Sequence, residues 1–370
     1  MKYKKKGFHI DKYSKFDGIL ESKMKFLYIS TGDKYPPDKH LMDGLLENGH
    51  DVFELTEKEV GVGKYVRFAV RFRKKRGPYD AIIVGFALPL LVPVVRCMSG
   101  KKIIFNAVSS QYEANIISRG AGAPWSLRAL KWWIIDFISF HLSLRVLLES
   151  NAQIDLVRKF FLVPRKKLVR SWMGVDEKEF FSDPAVEKDR EFTVLFRGRF
   201  LPESGILTVI EAAKILEDKG VRFLIIGHGF MYREVNTLME KLKPKNIEMI
   251  SERLPENVLR ESMLSAHISL GQLADHPRLS RTLPAKLFES LSLGLPYLTG
   301  RNAGVLELLE ENETCFAVEP GNPNDLAKKI LYLRDNPEIL QRVAARGYEL
   351  YKEKLTSKQL AKEDIENCFT

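Results

Sequence analysis

Short apolar runs of strand length alternate with amphipathic stretches of helix length along most of this 370-residue chain. Parallel strands need crossover connections, so this alternation predicts an α/β protein with helices on both faces of parallel sheets. The alternation runs twice, and a helical, charged stretch at 338–369 follows it. A further helix is expected at 304–311. The predicted strands are 25–30, 51–55, 80–84, 102–106, 146–148 and 167–170, then 193–196, 221–226, 247–250, 267–270, 296–299 and 315–318.

Two Rossmann-like domains account for the two series of strands, because a polar stretch separates them. We predict a flexible N-terminal extension at 1–23, an N-terminal domain at 24–175, a linker at 176–190, a C-terminal domain at 191–350 and a C-terminal helix at 351–370. Ligands of such folds lie beyond the carboxyl ends of the strands. The residues that follow each strand, at a cleft between the domains, are therefore the candidates for function.

The positive charge of the chain lies in its N-terminal half. Residues 1–180 hold 32 Lys and Arg against 19 Asp and Glu, whereas residues 181–370 hold 26 against 29. Such a balance predicts an anionic partner: a phosphate-bearing substrate, an anionic membrane surface or nucleic acid. Residues 67–76 and 128–141 combine basic with aromatic side chains, as a helix lying on an anionic membrane does. A solvated helix end and a buried helix, respectively, are the alternatives for these two stretches.

Several classes of protein are not supported by the sequence. Three widely separated cysteines allow neither a disulfide framework nor a cysteine-based metal cluster, which fits a reducing, cytoplasmic compartment. Residues 1–23 contain no apolar core of a secretory signal, and the apolar stretch 81–98 is too short and interrupted to span a bilayer. No Asp-x-Asp, P-loop or G-x-S-x-G motif occurs. We therefore expect a site without metal or cofactor, in a cytoplasmic protein with a peripheral position on the membrane as a hypothesis.

Loops that follow the first two strands of the second series are suited to anions. A strand, a loop containing Gly198 and Arg199, and a helix that begins after Ser204 would direct backbone N–H groups at a phosphate. Gly227 and Gly229 follow the next strand and would allow a ligand to approach the backbone closely. A surface arginine and an ordinary tight turn are the alternatives.

The segment between the fourth and fifth strands of the second series is the strongest candidate. Lys286 and Glu289 lie three residues apart in a helix that starts at Pro284, and Arg281 immediately precedes it. The two cations suit a diphosphate, and the carboxylate suits ribose hydroxyls. Leu287 joins the predicted donor-binding residues. The alternative is a capped helix with a surface Lys–Glu pair.

Polar residues also follow strands of the first series and would face the same cleft from the other side. Their hydroxyl, amide and carboxylate groups suit a sugar acceptor, although isolated loop residues would be merely solvated. The predicted acceptor-side residues are Gly32, Asp33, Asn106, Ser109, Ser110 and Tyr112.

Segments 194–200, 223–229, 284–296 and 319–322 together resemble the donor-binding domain of family-4 (group 1) retaining glycosyltransferases of the GT-B fold. The N-terminal half is similar more loosely. The resemblance implies two Rossmann-like domains facing each other across a cleft, with the C-terminal helix packed back on the N-terminal domain. It also implies transfer of a sugar from a UDP- or GDP-linked donor, with retained anomeric configuration, to a glycan or lipid-linked acceptor.

The resemblance further implies roles for individual residues. Arg199 would hold the donor diphosphate, and Glu289 would bind the ribose hydroxyls. The family commonly has Lys where this chain has Ser204, and Glu where it has Arg281. A branch of the family has Arg in the context Arg-x-x-Pro-x-Lys, which Arg281 and Lys286 match. Arg281 could supply the missing cation, so Arg199, Arg281, Lys286 and Glu289 are the predicted catalytic residues.

Two other functions fit this architecture. A sugar-nucleotide 2-epimerase has the same two domains but needs acid–base groups in the cleft, and the predicted cleft loops offer few. A non-catalytic protein that binds nucleotide sugars or nucleic acid would share the charge balance. No aromatic stacking motif on the strands supports RNA or DNA, so no nucleic-acid partner is expected.

Overall fold

The computed structural model describes residues 23–31, 36–57, 63–75 and 77–370. Almost all of the predicted N-terminal extension lies outside the described residues. In the N-terminal half, six parallel strands form a sheet in the order β2-β1-β3-β4-β5-β6. These strands are β1 (Lys25–Thr31), β2 (Asp51–Glu57), β3 (Ala81–Val84), β4 (Lys102–Val108), β5 (Arg145–Leu148) and β6 (Leu168–Arg170).

Helices cover both faces of this first sheet, which makes the N lobe. They are α1 (Pro36–Glu47), α2 (Lys64–Lys74), α3 (Leu91–Met98), a π-helical turn (Glu113–Ser118), α4 (Leu127–Leu142) and α5 (Asn151–Phe160). Apolar side chains of α2 to α5 form one core with the sheet, and those of α1 form a second core on the opposite face. Strands with both faces buried are almost wholly apolar, which is why the sequence pattern located them.

A second sheet of six parallel strands makes the C lobe. Its order is β12-β11-β10-β7-β8-β9, which is the Rossmann order seen from the other edge. The strands are β7 (Phe192–Arg197), β8 (Val221–Ile226), β9 (Ile247–Ile250), β10 (Ile268–Leu270), β11 (Tyr297–Gly300) and β12 (Phe316–Val318). The helices are α6 (Ile206–Ile215), α7 (Tyr232–Leu242), α8 (Glu256–Leu264), α9 (Ala285–Ser292), α10 (Pro323–Arg334), α11 (Pro337–Leu350) and α12 (Ser357–Phe369).

The C-terminal helix α12 packs back on the N lobe, as predicted. Ala361, Ile365 and Cys368 enter the core that α1 forms with the first sheet. The Ser171 hydroxyl donates to Asp364 at 2.6 Å, and burial raises the pKa of Asp364 to about 8. This contact ties the last helix of the chain to the end of β6.

Two helix predictions were wrong in detail. In place of a helix at 304–311, the chain forms only a 3-10 turn (Val305–Glu307), because Asn312 adopts a left-handed conformation and Glu311 pairs with Cys315 in a β-bridge. The predicted helical stretch at 338–369 is interrupted by a π-helical turn (Tyr351–Leu355). The Thr356 side chain then caps a new helix, α12.

The segment between the two sheets contains neither helix nor strand. Within it, Glu177 accepts a hydrogen bond from the Tyr351 hydroxyl at 2.6 Å. Tyr351 lies in the turn that leads back to the N lobe, so the two segments that connect the lobes contact each other there. The exact domain boundaries remain a prediction. No helix among the described residues has the length and apolar character needed to cross a bilayer.

Candidate functional site

The order of the second sheet reverses between β7 and β10, and Lys286 lies at that point. Its ammonium donates to the Gly271 carbonyl at 3.4 Å and stands 4.0 Å above the centre of the Phe196 ring. Gly198, which follows β7, has φ +143°, and a Cβ there would lie 3.2 Å from Lys286 Cε. Glycine therefore serves both the backbone conformation and the close approach of this lysine. Crevices at such reversals are where open α/β sheets bind ligands.

Glu289 lies one turn further along α9 and is almost fully buried. It forms an ion pair with Arg197, the last residue of β7, rather than with Lys286. Burial and the positive charge of Arg197 lower the pKa of Lys286 to about 7, and Glu289 partly opposes this. The site thus holds one carboxylate paired with an arginine and one lysine whose pKa lies near neutral pH.

Arg199 is exposed at the mouth of this crevice. Its guanidinium has no ion-pair partner among the residues that the structure describes. Gly227 and Gly229 have a structural task, because Cβ atoms there would meet the backbone of Gly198 and of Phe200 at 3.0 Å or less. They let the loops after β7 and β8 pack together, with the Phe200 amide donating to His228.

Two of the predicted donor-binding residues have buried side chains. The Ser204 hydroxyl accepts a hydrogen bond from the Ile206 amide at the start of α6. Leu287 points into the core, and its amide donates to the Pro284 carbonyl. Donor contacts by Ser204 and Leu287 remain predictions, without support from the position of either side chain.

Arg281 is committed to the other lobe. Its guanidinium donates to Glu113 of the π-helical turn at 2.7 and 2.8 Å, and Glu113 also accepts from Gln153. The Arg281 carbonyl accepts from the Ser150 hydroxyl at 2.6 Å. The sequence predicts that Arg281 presents its cation to the crevice. In the structure it joins the two lobes instead.

A second charged contact joins the lobes beside it. Glu203 accepts from Arg278 at 2.6 Å and from the N-lobe Ser118 hydroxyl at 2.8 Å. Glu149, after β5, accepts from the Leu283 amide at 3.3 Å. Burial raises its pKa to about 8, which Arg278 partly opposes. These contacts and the Arg281–Glu113 pair form what we call the interlobe seam.

The predicted acceptor-side residues have different environments. Asn106 is buried and donates to the Pro37 carbonyl and to Asp38. The Ser110 hydroxyl accepts from the Glu113 amide. Ser109 is largely buried, and it follows Val108, a β-branched residue held at φ +63°.

A left-handed backbone conformation is strained for a β-branched residue such as Val108, and such strain is frequent in functional loops. Tyr112 is partly buried against Phe160, with ring centroids 5.1 Å apart. Gly32 and Asp33 lie outside the described residues. The contribution of all six residues to acceptor binding remains a prediction.

Sequence reasoning missed Arg197 and the glutamates of the interlobe seam. A charged residue closing an otherwise apolar strand was the available signal for Arg197. Inspection of the residues after the fifth strand would likewise have drawn attention to Glu149. Nothing in the sequence indicated that Glu113 faces Arg281, because that contact depends on how the lobes meet. Within the described part of the chain, no three His, Cys, Asp or Glu side chains are grouped so as to hold a metal ion.

Known proteins similar to this chain are glycosyltransferases. The family described as "Glycosyl transferases group 1" matches residues 177–350. The glycosyltransferase WcaL of Escherichia coli (strain K12) is 25% identical over 174 residues, 45% of this chain and 42% of that protein. The amylovoran biosynthesis glycosyltransferase AmsK of Erwinia amylovora is 23% identical over 173 residues, 46% of this chain and 42% of that protein. The matches thus span less than half the length of these relatives.

The crystal structure of Anabaena HepE in complex with UDP-glucose covers 93% of this chain and 99% of its own, with a TM-score of 0.69 and 14% sequence identity. At this identity the likeness concerns the fold alone. It confirms the predicted GT-B architecture, with two Rossmann-like domains. Residues 177–350, slightly less than half of this chain, thus match the group 1 glycosyl transferase family.

Proposed function

We propose that this protein transfers a sugar from a UDP- or GDP-linked donor to a glycan or lipid-linked acceptor, with retention of configuration and without a metal ion. The observation that carries the proposal is the crevice between β7 and β10. There Lys286 lies beside the Arg197–Glu289 ion pair, and the exposed Arg199 follows β7 in the loop that packs against Lys286 through Gly198, at the position where Rossmann-like sheets bind nucleotides.

The diphosphate of the donor would be held by protein cations. Arg199 has a guanidinium free to bind two phosphate oxygens, and Lys286 adds a desolvated ammonium. Glu289, which pairs with Arg197, is suited to accept hydrogen bonds from ribose hydroxyls. These two cations would balance the negative charge of the diphosphate, as a bound divalent ion does in other enzymes.

Retention without a protein nucleophile would proceed on one face of the sugar. The bond from the anomeric carbon to the diphosphate oxygen breaks while the acceptor oxygen bonds to the same face. The acceptor proton passes to the departing diphosphate. Lys286 and Arg199 stabilise the charge that develops on that leaving group, and this stabilisation is where catalysis would arise.

The acceptor would bind on the N-lobe side of the cleft, near the loop that carries Ser109. The strained Val108 supports a functional role for that loop. The excess of basic residues in this half of the chain supports an anionic or phosphate-bearing acceptor. The part that AmsK plays in amylovoran biosynthesis supports a glycan product. The epimerase alternative is not favoured, because the relatives described above are glycosyltransferases.

Thermal unfolding with added nucleotides tests the donor site. UDP or GDP in EDTA should raise the melting temperature more than UMP or GMP does, because binding stabilises the folded state by mass action. R199A should raise the Kd of the diphosphate at least about tenfold, the contribution of one charge-assisted contact. R190A is the matched control, since Arg190 is exposed before the amino end of β7, away from the crevice.

Equal weakening by R190A, or the lack of any shift with both diphosphates, would contradict the proposal. Once an acceptor is found, the anomeric coupling constant of the product in proton NMR reports retention or inversion.

A further inference from the structure

Helix α4 carries apolar side chains on its outer side. Leu127, Leu130, Ile134 and Ile138 are exposed, and their spacing puts them on one face of the helix. Trp125, just before the helix, is 97% exposed, and Leu127 is 87% exposed. Burial of the opposite face of α4 in the N-lobe core fixes this apolar stripe outward. We call these five residues the α4 face.

Basic side chains border the α4 face. Arg119, Arg128 and Lys131 are exposed along or beside it. Between residues 114 and 142 the one acidic residue is Asp136, which is buried and accepts from the Gln111 and Tyr112 amides. A surface that is apolar in its centre and cationic at its rim matches the interface of an anionic bilayer, where acyl chains lie below phosphate groups.

A recess opens at the N-terminal end of the α4 face. It has a volume of about 590 Å³ and is lined by Asn115, Leu127, Arg128, Lys131 and Trp132, together with Ala121. The Lys131 ammonium lies 5.5 Å from the centre of the Trp132 ring. Two cations beside an indole, next to exposed leucine, suit a lipid phosphate with its glycerol and first methylene groups.

We propose that the α4 face is a docking surface for an anionic lipid bilayer, with the recess taking a lipid headgroup phosphate. Trp125, Leu127, Leu130 and Ile134 enter the interfacial region, and Arg128 and Lys131 contact the headgroups. Arg119 immediately follows Ser118, which bonds Glu203 in the interlobe seam. A membrane docked on the α4 face therefore lies beside the interlobe seam. There a lipid-linked acceptor would reach the cleft, a point that rests on the proposed function.

Vesicle flotation tests this surface without any donor or acceptor. The full chain should float with phosphatidylcholine vesicles that contain about 30 mol% phosphatidylglycerol, much less with phosphatidylcholine alone, and less as salt is raised. L127S/I134S should lower the partition coefficient at least about tenfold, since two side chains lose apolar contact. L46S/I215S is the matched control: it changes two exposed apolar residues on α1 and α6 and should float like the wild type.

R128A/K131A separates the recess from the apolar stripe. It should weaken binding to anionic vesicles and leave the weak binding to phosphatidylcholine unchanged. Equal flotation of L127S/I134S and the wild type overturns the proposal, as does equal loss in L46S/I215S. A halving of the molecular mass of L127S/I134S in analytical ultracentrifugation also overturns it, because a second copy of the chain would then cover the face. The UDP-induced thermal shift of each variant, which should be unchanged, reports separately on the proposed function.

Discussion

The two lobes reverse their strand order at different places and put opposite groups there. In the C lobe, the reversal between β7 and β10 holds Lys286 and leaves Arg199 exposed without an ion pair in the described chain. In the N lobe, the reversal between β1 and β3 adjoins Asp38, which accepts from the Tyr28 hydroxyl, the Phe86 amide and Asn106. The C-lobe reversal thus holds cations, whereas the N-lobe reversal holds a buried carboxylate with three hydrogen-bond donors on one of its oxygens.

This difference shows that the fold alone does not determine which charged groups lie at a reversal of strand order. Both sheets have parallel strands and loops at their carboxyl ends. Among the described residues, however, Lys286 and Arg199 lie at the reversal of the C lobe, whereas Asp38 lies at that of the N lobe. Burial raises the pKa of Asp38 to about 6, and its three hydrogen-bond donors oppose that rise. A buried carboxylate at this position disfavours a phosphate. The comparison supports our proposal that the nucleotide binds to the C lobe. The predictions below test that proposal and the contact that joins the lobes.

The largest expected effect comes from K286M, which keeps the length of the side chain and removes its charge. We expect the Kd of UDP or GDP at pH 7 to rise roughly 100-fold, because a desolvated ammonium that contacts a diphosphate contributes about 1.5–3 kcal/mol. Isothermal titration calorimetry measures the Kd. K219M, at an exposed lysine before the amino end of β8, should bind like the wild type.

The pH dependence identifies the lysine directly. Its pKa is about 7 in the free protein, and a bound diphosphate favours the charged ammonium, so binding takes up a proton above pH 7. The Kd of the wild type should therefore rise up to about tenfold per pH unit above pH 7, whereas that of K286M should not. A pH profile shared by both proteins would assign the titration to another group.

The second prediction concerns the pair that joins the lobes. R281M leaves the buried Glu113 with Gln153 as its remaining side-chain partner, and should lower the free energy of unfolding by about 2 kcal/mol. E113Q should cost less, because its amide oxygen still accepts from Arg281. The double variant should be more stable than the sum of the single losses implies, with a coupling of about 1 kcal/mol.

Urea denaturation of the wild type, R281M, E113Q and the double variant measures the free energies of unfolding in this double-mutant cycle. Strictly additive losses would mean that the Arg281–Glu113 contact contributes nothing to holding the lobes together.

The fold was largely predictable from the sequence, because buried parallel strands and amphipathic helices have local patterns. The interruption at Thr356 was not, since Thr occurs in helices as well as at their ends. At the site, the sequence pointed to Lys286 and Glu289 together, because helical spacing places residues three apart on one face. It could not reveal that Glu289 pairs with Arg197, or Arg281 with Glu113, because those partners are brought together by strand order and by the meeting of the lobes.

The smallest expected effect lies in the N lobe and tests whether its polar network serves the fold. Y28F removes the hydroxyl that donates to Asp38 at 2.7 Å and leaves two other donors in place. The loss in unfolding free energy should be about 1 kcal/mol. That hydrogen bond lowers the pKa of Asp38 and so favours its ionised form; the loss should therefore be larger at pH 8 than at pH 5, below the pKa of about 6.

Urea denaturation of Y28F at the two pH values measures this loss, and calorimetry of the same variant measures its affinity for UDP or GDP. The affinity should equal that of the wild type, because Tyr28 is fully buried and lies in the N lobe, whereas we propose that the nucleotide binds to the C lobe. Weakened nucleotide binding in Y28F, on the scale expected for R199A, would mean that the reversal between β1 and β3 also contacts the donor. The contrast between the lobes would then be one of degree, with both reversals contributing to a shared site.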